Sequence, residues 1–277
     1  MRRMTLHEVQ SVNLKIMKDI HFFCVEHGIR YSLAYGSLIG AVRHKGFIPW
    51  DDDIDIMMPR PDFEVFSKSF VSKSGYTLSS VYDKDTYINY TRVYDNADTL
   101  VISPAKAGRK EVGVWVDVYP IDGIPDDEVM ARQQFVEIRK YSQRVMATRF
   151  IFRKLASGAL LQKFKSGIKY LRNVILWKGN MQQWHNSIID LCKMVRFGDT
   201  SRCSSLVCME ANRDDRQEIF PTSSFLQYQL VPFEKEHFYI VSDYDTVLKT
   251  IFGDYMSLPP KDKQVSHIIK KWDFYRL

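Results

Sequence analysis

The sequence predicts an α/β (α+β) fold, and three observations carry that expectation. Thr5-Leu6-His7-Glu8 forms a capping box, followed by Val9, Val12, Ile16, Ile20, Phe23 and Cys24 at helical spacing, with Gly28 as a stop. "DIDIMM" (53–58) and "VGVWVDVYP" (112–120) alternate as strands do. From about Asp126 to Val195 the period is helical, broken at Gly158, Gly167 and Gly179. These shifts divide the chain into 1–125, 126–200 and 201–277, the last expected to pack back on the first.

Between these landmarks the elements follow in order. "IRYSLAYG" (29–36) reads as a short strand ending at Gly36-Ser37, and "SLIGAVRH" (37–44) as a short helix opening on that turn. Gly46 and Pro49 punctuate the loop "HKGFIPW", and Pro59 ends the strand that follows. "PDFEVFSKSFV" (61–71) is a helix with Asp62 near its cap. "YTLSSV", "YINYTRVY" and "TLVIS" are strand-like, with Asp95, Asn96 and Gly108 in turns. Phe220–Tyr239 is mixed and short-stranded, "YDTVLKTIFG" is a helix closed by Gly253, and "LPPKDK" is a rigid turn before a polar tail. His185, His237 and His267 stand alone and read as ordinary polar residues, and Asp122 reads first as a turn residue, with support of the site from behind as the lesser alternative.

With 45% hydrophobic and 26% charged residues, the 277-residue chain has the composition of a globular protein. Its net charge of +6 is unevenly spread. Between Met130 and Asn180 twelve Lys and Arg face one acid, Glu137, so that belt carries +11 and the remainder, by difference from +6, carries −5. Lys and Arg alternate there with Phe, Leu, Ile and Trp. Three readings fit: a helix on an anionic membrane surface, a salt-paired cover for the sheet, or attraction to a polyanionic glycan. The scarcity of acids weakens the second.

The opening "MRRMTLHEVQ" lacks the apolar core of a signal peptide, and no uncharged stretch reaches the roughly 18 residues of a membrane span. Cys24, Cys192, Cys203 and Cys208 form neither a disulfide framework nor a zinc pattern. The expected location is cytoplasmic, peripheral on the inner face of the cell membrane. No nucleic-acid-binding motif accompanies the basic residues.

The densest chemical signal is "GSLIGAVRHKGFIPWDDDIDIMM" (36–58), which crowds Asp51, Asp52, Asp53 and Asp55 together. Carboxylates this close raise one another's pKa unless a cation sits among them. Residues two apart on a strand share a face, so Asp53 and Asp55 project together while Ile54 and Ile56 enter the core. Two hard oxygen donors on one face suit Mg²⁺ or Mn²⁺. Asp117, framed by Val114, Val116 and Val118, is the best third acid. A calcium loop of EF-hand type is excluded by Ile56, where glycine belongs. Gly36 and Ser37, at a strand-to-helix junction, are candidates for holding phosphate. Arg43, His44 and Lys45 fit either phosphate contact or a solvated basic loop. Arg92 fits either donor phosphates or pairing with an acid, and Tyr35 and Trp50 either cation–π contact or packing.

With Gly36-Ser37, Asp53-x-Asp55 and Asp117 in place, the chain resembles the nucleotidyltransferase superfamily of polymerase-β type. More narrowly, residues 36–58 resemble the signature of the LicD family, to which phosphocholine transferases belong and fukutin-type proteins are related. "VWVDVYPIDG" (114–123) and "FGDYMSLPP" (252–260) resemble later blocks of that family. The resemblance implies a mixed sheet flanked by helices, with a nucleotidyltransferase-like catalytic core in 1–125. It also implies transfer of a phospho-substituent, most often phosphocholine from CDP-choline, to a sugar hydroxyl of a lipopolysaccharide- or teichoic-acid-type precursor, which can be lipid-linked. Asp53 and Asp55 then hold one or two metal ions, and Asp117 completes the shell or takes the hydroxyl proton. Other CDP-linked polyol or sugar phosphates remain open as donors. An A-type glycosyltransferase is disfavoured because one helix and one short strand precede the Gly-Ser turn. A non-enzymatic adaptor is disfavoured because all three acids are present.

Overall fold

The computed structural model describes residues 1–83, 88–102, 112–157, 160–208, 218–266 and 273–277, without side chains for 150, 152–157 and 160. Gly108, Gly158 and His267 lie outside the described residues.

After a two-residue strand β1 (Arg2–Arg3), the capping box opens α1 (Leu6–His27), and Gly28 closes it with φ 65°. Both halves of the box form: the Glu8 N–H donates to Thr5 Oγ1 at 3.3 Å, and the Thr5 N–H to Glu8 Oε2 at 2.9 Å. All six predicted apolar positions of α1 are buried. Next come β2 (Ser32–Leu33), α2 (Tyr35–Ile39) with a π-helical continuation Gly40–His44, β3 (Ile54–Pro59) and α3 (Arg60–Ser69). α2 starts two residues before the predicted junction, so Gly36 and Ser37 lie inside its first turn. The predicted strands are β4 (Thr77–Ser79), β5 (Thr91–Asp95), β6 (Thr99–Ile102) and β7 (Val114–Gly123).

The helical stretch resolves into α4 (Glu128–Ser157), α5 (Leu160–Trp177) and α6 (Met181–Cys192). Gly179, at φ 139°, separates the last two, whereas Gly167 lies within α5 and breaks nothing. Short strands β8 (Arg202–Ser204) and β9 (Ile219–Pro221), a hairpin of β10 (Tyr228–Phe233) and β11 (Glu236–Val241), and α7 (Tyr244–Phe252) follow. The chain then ends in β12 (Asp273–Arg276). The expected polar tail is thus in part a strand: β12 pairs with both β1 and β6, and Phe274 is buried.

A seven-stranded mixed sheet organises the molecule, with its main path in the order β2-β3-β7-β5-β4 and β8 and β9 continuing from β7. β3 and β7 run parallel, and the other pairs are antiparallel. Ile54, Ile56, Val93, Val116 and Val118 are wholly buried on one face. α1 and α3 pack on the central strands, side by side, with the Phe23 ring 6.0 Å from Phe66 and 5.1 Å from Phe70. A second apolar cluster, built on Ile124, Phe135, Ile138, Trp184 and Ile188, joins α4 to α6.

β7 runs three residues beyond its predicted end, which corrects the reading of Asp122. This residue is no turn residue. It lies on β7, buried, and accepts from Arg60 Nε at 2.5 Å and Nη2 at 2.8 Å. Burial pushes the Asp122 carboxyl up despite Arg60, so the pair rests on mutual compensation. Arg60→Met, which strands that carboxylate, lowers stability by about 3–5 kcal/mol, read as a fall in urea midpoint, and adding Asp122→Leu restores part of it. An unchanged midpoint in Arg60→Met would contradict this account.

Candidate active site

The register of the sheet builds the site. Asp55 on β3 pairs with Asp117 on β7, and Asp117 pairs with Arg92 on β5. Paired residues share a face, so three strands carry a row Asp55–Asp117–Arg92 on the side opposite the apolar residues. Asp53 sits one residue before β3 and, like Asp55, is half-buried. The predicted three acids are therefore neighbours, although the tightest convergence is a different trio. Carboxylate oxygens of Asp51, Asp52 and Asp53 lie within 4.8 Å of one another.

Electrostatics follow from this crowding. Burial pushes the Asp53 carboxyl well above its usual range, and Asp55, Asp51, Asp52 and Asp117 add to the shift. Burial does the same to Asp55, with Asp117 and Asp51 adding and Arg92 opposing. Such carboxylates gain most from a cation, and an all-oxygen donor set suits a hard divalent one. The residues present fit Mg²⁺ or Mn²⁺.

Local structure holds the acids in place from both sides. From α1, Gln10 Nε2 donates to the Asp51 carbonyl at 2.8 Å, and Asn13 Nδ2 to the Asp52 carbonyl at 2.9 Å. Ser266 Oγ donates to the Asp52 carboxylate. From α2, Ser37 Oγ accepts the Asp55 N–H at 3.0 Å. Gly36 meets the loop so closely that a Cβ there would stand 2.4 Å from Asp51 Oδ2. Ser37 is thus bound to the acid strand, and Gly36 makes room for an acid.

Asp117 is held by four donors. Arg92 bonds both of its oxygens, Nε to Oδ1 and Nη2 to Oδ2 at 3.1 Å, while Trp115 Nε1 (3.2 Å) and the Tyr119 hydroxyl (3.4 Å) also reach Oδ2. Oδ1, with one donor against three, keeps the freer lone pair. Burial opposes the Arg92 charge, but Asp117 outweighs it and holds the guanidinium firmly protonated. Arg92 also donates to the Tyr90 hydroxyl at 2.8 Å and stacks over Trp115 at 4.8 Å. Of the two readings open for Arg92, the structure displays pairing with an acid.

The remaining predicted residues have other partners. Arg43 donates to the carbonyls of Tyr255 at 2.5 Å and Ser257 at 3.3 Å, and its Nε to His44 Nε2 at 2.9 Å. Lys45 donates to the Val42 carbonyl at 3.1 Å. Arg43 thus ties the continuation of α2 to the segment after α7, and its guanidinium is committed to the chain. Trp50 packs on the core. Tyr35 holds an unusual backbone, φ 47°, with its ring edge-on to Tyr119 at 5.6 Å and its hydroxyl 3.2 Å from Glu218. Asn13, Tyr90, Trp115 and Tyr119 were missed in the sequence. Asn13 had a signal, as a polar residue on the apolar stripe of α1, and Trp115 and Tyr119 flank Asp117 at strand spacing.

Residues 28–165, which contain the whole row, match the family described as "LicD/FKTN/FKRP, nucleotidyltransferase domain". The chain belongs to the LicD family. It is similar to the "Lipopolysaccharide cholinephosphotransferase LicD" of Haemophilus influenzae, with 26% identity over 276 residues covering 98% of both chains. Uncharacterized proteins of Rickettsia typhi and Rickettsia prowazekii are each 40% identical to it over 62 and 68 residues, which are 22% and 24% of this chain and 20% and 25% of theirs. The LicD match thus covers β2 to the start of α5, and the Haemophilus relative extends the likeness across the helical region and C-terminal segment.

Two substitutions probe the row. Ser37→Ala leaves the Asp55 N–H without its acceptor and costs about 1–3 kcal/mol in chemical denaturation. Arg92→Ala costs about 3–5 kcal/mol by stranding Asp117, and Arg92→Ala with Asp117→Ala costs less than the two singly added. Strict additivity would mean that the ion pair is not the coupling.

Proposed function

We propose that this LicD-family chain is a phosphotransferase that moves phosphocholine from CDP-choline to a sugar hydroxyl of a lipopolysaccharide-type glycan, with a polymerase-β-like nucleotidyltransferase core. The observation that carries the reading is the row Asp55–Asp117–Arg92 beside Asp53, three acids and a cation fixed on one sheet face. The substituent and the glycan class come from what the full-length Haemophilus relative is named for.

In the reaction the acceptor oxygen bonds to the phosphorus of the phosphocholine unit, the phosphorus–oxygen bond to CMP breaks, and CMP leaves. Asp53 and Asp55 would hold Mg²⁺ or Mn²⁺, and when bound the ion neutralises charge on the donor diphosphate. Oδ1 of Asp117 is the oxygen that receives the hydroxyl proton, because Trp115, Tyr119 and Arg92 fix the carboxylate while leaving that atom the less saturated one. Arg92 brings a buried positive charge beside the acids, where a diphosphate needs it. Ser37 and Gly36 act by setting the distance between α2 and the acid strand. Most of the rate enhancement in such a transfer comes from positioning and charge neutralisation. Donors carrying another polyol or sugar phosphate on CDP would use the same groups.

Asp53→Asn with Asp55→Asn lowers metal-dependent turnover on the order of 10³-fold or more in a folded protein. Full turnover in that variant would sink the assignment. In a thermal-shift screen with Mg²⁺, CDP-choline raises the melting point above the shift given by CDP alone or by other CDP-linked donors.

The metal assignment also fixes a pH dependence. The folded-state pKa values of Asp53 and Asp55 are raised, so without a cation their contribution to stability is full below the ordinary carboxylate range and is lost as pH rises through the raised values. A divalent cation binds the deprotonated forms. Its effect on melting temperature therefore grows as pH rises from the ordinary carboxylate range through the raised values. A Mg²⁺ shift independent of pH would count against these ligands.

A further inference from the structure

We infer that the outward face of α5 is a docking surface for an anionic lipid bilayer. This goes beyond the transfer chemistry and does not depend on it.

α5 is turned inside out. Its fully buried residues are polar, Ser166 and Asn173, seven positions apart on one face, and Trp177 at its end packs partly buried against the α4–α6 cluster. Five other large apolar residues point away from the protein: Leu161, Phe164, Ile168, Leu171 and Ile175 are each more than half exposed. Their spacing is that of a single helical stripe. An open groove of about 620 Å³ runs along this stripe. A helix covering a soluble core would present the opposite arrangement, and among the described residues nothing covers the stripe.

Charge identifies the occupant. α5 carries Lys163, Lys165, Lys169 and Arg172 and no acid. Among the described residues none of the four pairs with an acid, whereas on α4 Lys140 is engaged with Glu137 at 3.0 Å. Arg172 lines this groove, and Lys165 and Lys169, also exposed, follow on the same flank of the helix, from which long side chains can reach charged headgroups. An apolar stripe edged by unpaired cations matches a helix lying in the plane of a bilayer, with its side chains among the acyl chains and its cations at anionic headgroups. A second copy seated on this face would bring the same cations against one another in a region that carries +11 between 130 and 180. That repulsion disfavours self-association. Among the described residues no helix is long and apolar enough to cross a membrane, so α5 lies on the surface.

Co-sedimentation of the full chain with vesicles tests the inference. Binding is expected to phosphatidylcholine vesicles containing about a third phosphatidylglycerol, to fall as salt screens the charges, and to be weak to phosphatidylcholine alone. Lys165→Gln, Lys169→Gln and Arg172→Gln combined should weaken binding on the order of a hundredfold at low salt, about fivefold per cation, and flatten the salt dependence. Phe164→Ser with Leu171→Ser should weaken it at every salt concentration, by roughly tenfold or more. The stripe is exposed, so these variants should melt as the parent does, and the salt series on the parent needs no variant. Three results would overturn the inference: no binding of the parent to anionic vesicles, binding that ignores both sets of substitutions, or a parent dimer that Phe164→Ser dissolves while vesicles stay unbound.

Discussion

Five carboxylates forced into one small volume are the constraint around which this molecule is arranged. Burial raises the cost of ionising Asp53 and Asp55, and the neighbouring carboxylates, Asp51 and Asp117 beside both of them, raise it further. A fold relieves such strain with counter-charges, with hydrogen-bond donors or by leaving the charge for a ligand. This chain uses the first two at Asp117 and Asp52 and, on the proposed reading, the third at Asp53 and Asp55. Asp117 receives a guanidinium, an indole and a phenol. Asp52 receives Ser266. Asp53 and Asp55 receive the least compensation, and they are the pair proposed to hold the cation.

The scaffold's main task is to prevent the acids from moving apart. Their loop would relax outward if its backbone were loose. Instead α1 grips two consecutive carbonyls through Gln10 and Asn13, and α2 takes the Asp55 N–H. The glycine at position 36 follows from the same requirement, since any side chain there would meet the Asp51 carboxylate. Arg43 serves the scaffold too, fastening α2 to the segment that follows α7.

Legibility in the sequence tracks the range of the interaction. The Thr5–Glu8 box, the Gly28 stop and the parity of Asp53, Asp55 and Asp117 are set by neighbours within a few residues, and each was readable. Asp122 was misread because its partner, Arg60, lies 62 positions away, and nothing local distinguishes a strand-borne aspartate from a turn aspartate before glycine. Arg92 was left between two readings for the same reason, since register with Asp117 is a property of the assembled sheet. β12 escaped notice because a short polar strand exists only through its pairing with β1 and β6. Gly167 looked like a break, but an exposed helix tolerates one glycine at a cost of about 1 kcal/mol.

The position of β7 explains how the helix proposed to face a membrane and an acid cluster can serve one protein. Asp117 stands near the middle of this strand, and Asp122 near its end is locked to Arg60 at the start of α3. The next residue but one, Ile124, already belongs to the apolar cluster that seats α4 on α6, and α5 packs in turn on α4. From the acids to the helical unit the chain thus runs through an extended strand anchored by a buried ion pair, and only residues 124–127 separate that strand from α4. A surface that fixes α5 therefore also fixes the direction in which the row of acids faces. For an acceptor held in a bilayer, that orientation turns a search in three dimensions into one confined to the membrane plane.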